Sequence, residues 1–567
     1  MLTRTKTETT CKLETLADVD AAIQADPSIP EKTRKKFRSA ISRTARLLQR
    51  PASGIHCAPE TLRAALKAIH PQRARLSAKS LANIKSELVA ALRSVGVLGE
   101  LPRAKALSLR WRTFLSGAAA NHQRWHLARF ARFCSAAGIE PEDVTDATVE
   151  RYEHELSRSQ LTGDPDEIRR DTARNFNRIL HDDKINRPVL SVPSRQTYRS
   201  AQLKVYPEGL QADIGAYLAR LANPSPFDEA AIDRPLAPTS LRNIELHLRQ
   251  SLDAAVQAGY PRTHFNSLAD LIDIAVIKSA FDVIEKRTGT TNPPTLHNIS
   301  ATLLAIARYH VEATSETLRK LEAAKRKLSQ ANGAGRPRMT EKNMRRLHQF
   351  DDPEAAADLI MLPETLMKRA DRQVGSYHAG LLAMRAVAIT ILLACAPRAK
   401  NLAALDIDRH LYPVKSGRKV LYRLHIPAKE VKNRSPIDAE LGEIFSRLLT
   451  RYIDKHRPHI LETPSSALFP RRNGQPRAPK HLGNDVTELV RKEIGVDINP
   501  HLYRHFAAKT LLEARPGNYE IVRRVLGHAK MDTTTGFYAS FDTRAAYKLY
   551  GSLVDGLRDG RDAGGKL

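Results

Sequence analysis

Cysteine is scarce in this chain: four in 567 residues (Cys11, Cys57, Cys134, Cys395), far apart and never as a CxxC pair. That spacing indicates neither a disulfide framework nor a thiolate zinc site, and it fits a reducing compartment. Long apolar runs are scarce too. One stretch, His378 to Ala396, is apolar enough to suggest a membrane span, but it carries Arg385 and stops at Pro397, so it reads as a buried core helix. Residues 1–19 lack an apolar core followed by a small-residue cleavage site; no export signal is expected, and the expected place of work is the cytoplasm. Acidic residues are the third deficit: 62 Asp and Glu against 90 Lys and Arg leave a net charge of +28. Such a surface attracts polyanions. Because the excess is spread along the chain rather than gathered in a tail, nucleic acid is the expected partner, with an anionic membrane surface the weaker alternative.

With 42% hydrophobic and 27% charged residues the composition is globular, and the length exceeds what one hydrophobic core supports. Residues 1–100 read as an N-terminal helical domain of unknown role with basic faces (Lys32, Arg34, Lys35, Lys36, Arg38, Arg43, Arg46) and breaks near Pro51–Gly54 and Pro71. Residues 101–199 read as a second helical domain and linker. There Trp111, Phe114, Leu115, Trp125, Leu127, Phe130 and Phe133 fall near helical spacing and read as core, while the Pro-marked stretch 181–199 reads as the linker. Residues 200–330 form a further helical block with a loop and helix start at Pro235–Ser240, and residues 331–338 (ANGAGRPR) form a basic linker. Residues 339–567 differ in character. Long helical patterns surround one strand-like piece, Val420–Ile426, and the Pro427, Asn433 and Pro436 that follow suggest a short hairpin or small sheet. The expected fold class is therefore a mainly α multidomain chain. No fixed-period repeat is visible, although the helical blocks could be distant cousins.

Four separated pieces of the last block carry the polar groups that phosphoryl transfer on DNA requires. Arg398 lies at the turn after the apolar helix, in CAPRAKNLAAL, and Lys432 lies at or beside a hairpin turn, in HIPAKEVKNRSPIDAEL, with Lys429 as the fallback. Pro500 opens a helix that puts His501 and Arg504 on one face. Gly527 ends a helix before His528, Asp532 or Thr533 caps the next, and Tyr538 follows. Singly, each of these residues is more simply a salt-bridge partner, a solvated lysine or a packing residue.

In combination, the order Arg398, Lys432, His501-x-x-Arg504, Leu-Gly-His528, Tyr538 resembles the tyrosine recombinase, or phage integrase, family over roughly the last 230 residues. The resemblance is specific at HLYRH and at LGH…TTTGFY. Two departures stand out: Asn401 occupies a position where the family often has glutamate, and the His-to-Tyr interval is one residue longer than the commonest spacing, with Phe537 at the nominal place. Tyr547 and Tyr550 remain outside candidates for the nucleophile.

The resemblance implies helical DNA-binding domains before a catalytic domain with a small sheet. It makes residues 200–330 a core-binding-like DNA-binding domain and 339–567 the catalytic domain. It implies a site-specific recombinase that cuts and rejoins DNA through a 3′-phosphotyrosyl bond to Tyr538, for integration, excision or transposition of a mobile element. Arg398 and Arg504 would hold the phosphate, Lys432 would act as general acid, His501 as proton-transfer partner, and His528 as a further hydrogen-bond donor. It implies no cofactor and no metal. The expected partners are double-stranded DNA and further copies of the chain, assembled as a tetramer on DNA in a prokaryotic cytoplasm, without a membrane or small-molecule substrate. Two alternatives share part of this pattern: a type IB topoisomerase, and a non-catalytic architectural DNA-binding protein.

Overall fold

The computed structural model describes residues 13–118, 121–182, 189–193, 198–227, 232–332, 339–417 and 419–564. The linker stretches expected at 183–188, 194–197 and 333–338 lie outside them. The chain divides into two compact units: one comprises 1–195, 345–426 and 438–505, the other 196–344, 427–437 and 506–567.

Unit one opens with α1 (Leu16–Ala25), α2 (Glu31–Leu47), α3 (Pro59–Ala68) and α4 (Ala78–Ser94), followed by α5 (Leu109–Ser116), α6 (Asn121–Ala136), α7 (Asp146–Ser159) and α8 (Pro165–Asp182). Local chemistry starts these helices. Thr15 and Asp18 close a capping box on α1, and the Ser77 and Ser108 hydroxyls accept backbone N–H groups at the heads of α4 and α5. Leu16, Ile23, Leu62 and Leu88 centre one core; Trp111, Phe130, Phe133 and Phe176 centre the next. Arg63 joins the two by donating to the Ser157 and Gln160 carbonyls. Trp125 departs from the aromatic stripe expected of it: at 76% exposure it lies on the opposite side of α6 from Leu127 and Phe130, because two residues of helix turn a side chain by about 200°.

The same unit contains α15 (Glu341–Leu347) in part, α16 (Pro353–Asp371), α17 (Tyr377–Cys395), α18 (Ala399–Ala403), α19 (Ile407–His410), α20 (Glu443–Arg451) and α21 (Pro479–Ile494). The apolar run is α17. It alone among the described helices is long and apolar enough to cross a membrane, and two-thirds of it is buried among its neighbours, as a core helix. Three strands, β1 (Leu411–Ser416), β2 (Lys419–Ile426) and β3 (Ile437–Leu441), lie in the order β1-β2-β3, with β1 and β2 antiparallel. β1 goes beyond the strand expected at Val420–Ile426; as an edge strand it tolerates the N–H that Pro413 lacks. A turn of the first block also binds here: Arg73 donates to the Ile494 carbonyl at 2.9 Å and pairs with Asp358 at 2.5 Å.

Unit two contains α9 (Glu208–Ala222), α10 (Pro238–Gln257), α11 (Leu268–Leu271), α12 (Ile274–Thr288), α13 (Pro294–Tyr309) and α14 (Ser315–Ala331) around a core of Leu210, Leu252, Phe265, Ile284 and Ile299. The chain passes from unit one to unit two within α22 (Pro500–Ala514), between His505 and Phe506. It ends in α23 (Tyr519–Leu526) and the 34-residue α24 (Met531–Gly564). The expected caps Asp532 and Thr533 are instead inside the first turn of α24, where a carboxylate favours the positive helix end.

Candidate active site

Unit one holds the arginines. After Cys395 the backbone of Ala396 turns left-handed (φ 42°) and leads through Pro397 to Arg398, which caps α18 and is partly buried. Arg504 lies one turn into α22 at 4% exposure, and its Nη1 donates to the Ala396 carbonyl at 2.9 Å. The second arginine thus fastens the turn that presents the first. Burial draws the Arg398 guanidinium's pKa down, yet arginine keeps its charge at any working pH. The neighbouring Cys395 thiol is pushed up to about 12 by burial, with the Arg504 charge opposing, so it is inert as a thiolate. Asn401 is buried on α18.

His501 opens α22. Its ring reaches solvent on one side, but crowding on the other desolvates it, and the charges of Arg504 and Arg398 add to that effect, so its pKa lies below the ordinary histidine value. A neutral imidazole can take up a proton. His505, buried at 4%, meets the His501 ring edge-on at 4.9 Å. It belongs to the HLYRH motif, yet the motif alone assigns it no role.

Unit two holds the lysine loop, His528 and the tyrosine. Lys432 is exposed on the loop joining β2 to β3, between the buried anchor Val431 and the left-handed Arg434; Lys429 is exposed on the preceding single-turn helix. Gly527 ends α23 at φ 58°, a conformation costly for any residue with a Cβ. A Cβ there would stand 3.3 Å from Asn433 Nδ2 and 3.5 Å from Ser435 Oγ, so the lysine loop rests on the turn that carries His528. Arg523 donates to the His528 carbonyl at 3.0 Å, and His528 Nδ1 lies 3.0 Å from the hydroxyl of fully buried Thr534.

Tyr538 is one helical turn beyond Thr534, on the same inward face of α24, at 1% exposure. Its ring is parallel to that of His528, with centroids 6.3 Å apart. Phe537 is only partly buried, while Tyr547 and Tyr550 are 73% and 65% exposed on the later part of α24. The structure therefore brings Arg398, His501 and Arg504 together in unit one, and the Lys432 loop, His528 and Tyr538 together in unit two. Among the described residues, no three His, Cys, Asp or Glu side chains stand close enough to hold a metal ion.

Residues 363–544 match the model of the phage integrase family, a span that includes all six of these positions and crosses both units. The chain carries a tyrosine recombinase domain of the phage integrase family. Similar solved structures include the XerA recombinase (14% identity, 60% of this chain and 98% of that one, TM-score 0.23) and a lambda integrase dimer bound to a core site (14%, 59% and 95%, 0.35). The XerH recombinase bound to palindromic difH substrate in a post-cleavage complex is another (14%, 59% and 94%, 0.31). No curated protein matches the chain. The integrase-family match begins after α14, so the helical blocks of residues 1–332 stand outside it.

Proposed function

We propose that the chain cleaves and rejoins DNA at specific sites, with Tyr538 as nucleophile and the two residue groups acting on one scissile phosphate. The family match over the span that contains all six positions carries this reading. In the assembled complex the Tyr538 oxygen attacks phosphorus and its proton passes to neutral His501. The 5′-oxygen leaves and takes a proton from the Lys432 ammonium; a positioned general acid contributes ~10²- to 10⁴-fold. Arg398 and Arg504 hold the non-bridging oxygens and offset the charge that develops on them, since a guanidinium fork fits phosphate bidentately. His528, whose Nδ1 is engaged by Thr534, donates through Nε2. The 3′-phosphotyrosyl bond stores the energy of the broken linkage, and attack by a 5′-hydroxyl reverses each step. The site of action is chromosomal or mobile-element DNA in a prokaryotic cytoplasm.

A nicked duplex that loses its short 5′ fragment on cleavage tests the chemistry. The expected result is a protein–DNA adduct on the 3′ end that persists in excess EDTA and is absent from Tyr538→Phe. An adduct formed by that variant, or one that depends on added magnesium, overturns the assignment.

Strand exchange between two duplexes needs four cleavages and one tyrosine per copy, so the working unit is a tetramer on DNA. Beyond Phe541, α24 leaves Tyr547, Leu549, Tyr550, Leu553 and Leu557 at 60% to 73% exposure, an apolar stripe suited to a neighbouring copy. Truncation after about residue 543 should spare half-site binding by one copy and abolish synapsis; recombination by the truncated chain contradicts the role.

A further inference from the structure

The three helical blocks share a geometric signature that their sequences conceal. In each, a long helix (α2, α6, α10) ends at a left-handed residue: Gln49, Gly138 and Gly259, with φ of 52°, 68° and 110°. Three residues later each chain makes a single-turn 3₁₀ helix, at Ala52–Gly54, Pro141–Asp143 and Arg262–His264. Six residues after the left-handed residue stands a buried apolar side chain: Ile55, Val144 and Phe265. A new helix follows within five residues of it: α3, α7 and α11. Eight residues before the left-handed residue, Ile41, Phe130 and Ser251 are all buried; five before it, Thr44, Phe133 and Ala254 are buried. The same faces of the same helices point inward.

The outward ridge differs. Thirteen and six residues before the left-handed residue, the first block has Lys36 and Arg43, the second Trp125 and Arg132, and the third Leu246 and Asp253. The first four and Leu246 are exposed, whereas Asp253 is partly buried. In the third block the Asp253 end of the ridge is covered by its own chain: Tyr198 donates its hydroxyl to Asp253 at 2.5 Å, and Arg249 donates to the Ser200 and Ala201 carbonyls.

We propose that residues 13–98 and 101–180 are two further copies of the module at 206–328, and that in these copies the open ridge of α2 (Lys36, Arg43) and of α6 (Trp125, Arg132) binds the phosphate backbone of duplex DNA. The recombinase reading contributes only the choice of polyanion. Duplex DNA presents one negative charge per ~1.7 Å of axis, so a helical row of cations neutralises several phosphates and releases their counterions. In the third copy neither ridge position is a cation, since Leu246 is apolar and Asp253 is acidic and covered, which leaves any DNA binding there to other faces.

The test uses the full chain carrying Tyr538→Phe, so that binding is read without covalent capture. A photocrosslinking benzoylphenylalanine replaces Ser39 on α2, Ala136 on α6 or Gln257 on α10, each at an exposed position, and the probe is a random-sequence duplex of about 60 base pairs. Crosslinks from positions 39 and 136 but not 257 are expected. Lys36→Glu, Arg43→Glu and Arg132→Glu together should reduce the salt dependence of affinity by a log-log slope of about 2 to 3, at about 0.9 for each phosphate that is no longer neutralised. Silence at position 39 or 136, equal crosslinking from 257, or an unchanged slope overturns the proposal. A wild-type chain that crosslinks as expected yet forms no adduct on the nicked duplex would sink the recombinase reading alone.

Discussion

Arg504 and Tyr538 are both buried, but what holds them differs. Arg504 is tied to the backbone of the Arg398 turn, so the two arginines proposed to hold the phosphate share one fastening inside a packed core. Tyr538 is placed by the inward face of α24, whose start depends on a histidine–threonine contact and on a glycine turn under the lysine loop. Past Phe541 the same helix has its large apolar side chains in solvent. The proposed anion site is thus preorganised, whereas the proposed nucleophile is buried and its hydroxyl must be uncovered before it can attack. Local stability follows buried contacts, so opening is cheaper at α24 than at α22.

The largest loss is expected at the arginine. Arg504→Ala should lower single-turnover cleavage by about 10²- to 10³-fold or more, the typical cost of removing one donor to a developing oxyanion, and should weaken the Arg398 turn as well. Arg504→Lys keeps the charge but loses the fork, and should recover little of the rate. Full activity in the lysine variant would show that charge alone suffices.

A smaller effect is expected on the tyrosine side. Thr534→Val removes the hydroxyl that meets His528 while keeping the shape, and should cut cleavage by about 3- to 10-fold, the worth of one ordinary hydrogen bond. Thr534→Ser should restore most of it. Equal losses in both variants would mean that Thr534 only packs.

The smallest shift is in pH. His501 has a depressed pKa, so its neutral, proton-accepting form persists on acidification, and the acid limb of cleavage should fall below the ordinary histidine value of about 6.5. Because the folded chain resists protonating this ring, acid also costs stability, beginning as the pH falls through the unfolded-state value. An acid limb at or above that value, shared by His501→Ala, would detach the limb from His501.

Much of this was legible in the sequence because short-range chemistry decides it. Apolar residues and Pro397 delimit α17; Pro500 starts the helix with His501 and Arg504; Gly527 stops α23 before His528. What was not legible depends on distant partners. The Arg504 bond to Ala396 spans 108 positions, and His505 gains its place from folding beside His501. Pro413 concealed β1, since nothing local says that a strand lies at an edge. The repeated helical modules were hidden by unequal spacing between Gln49, Gly138 and Gly259 and by unrelated side chains around a shared backbone path.

Everything proposed for the reaction depends on Tyr538 being the residue that becomes joined to DNA. Mapping the adduct from the nicked duplex by protease digestion and mass spectrometry tests it most directly. The account predicts a nucleotide-modified peptide containing Tyr538 and no modification at Tyr547 or Tyr550; a modified peptide containing either of those tyrosines, or cleavage that leaves no attached peptide, contradicts it.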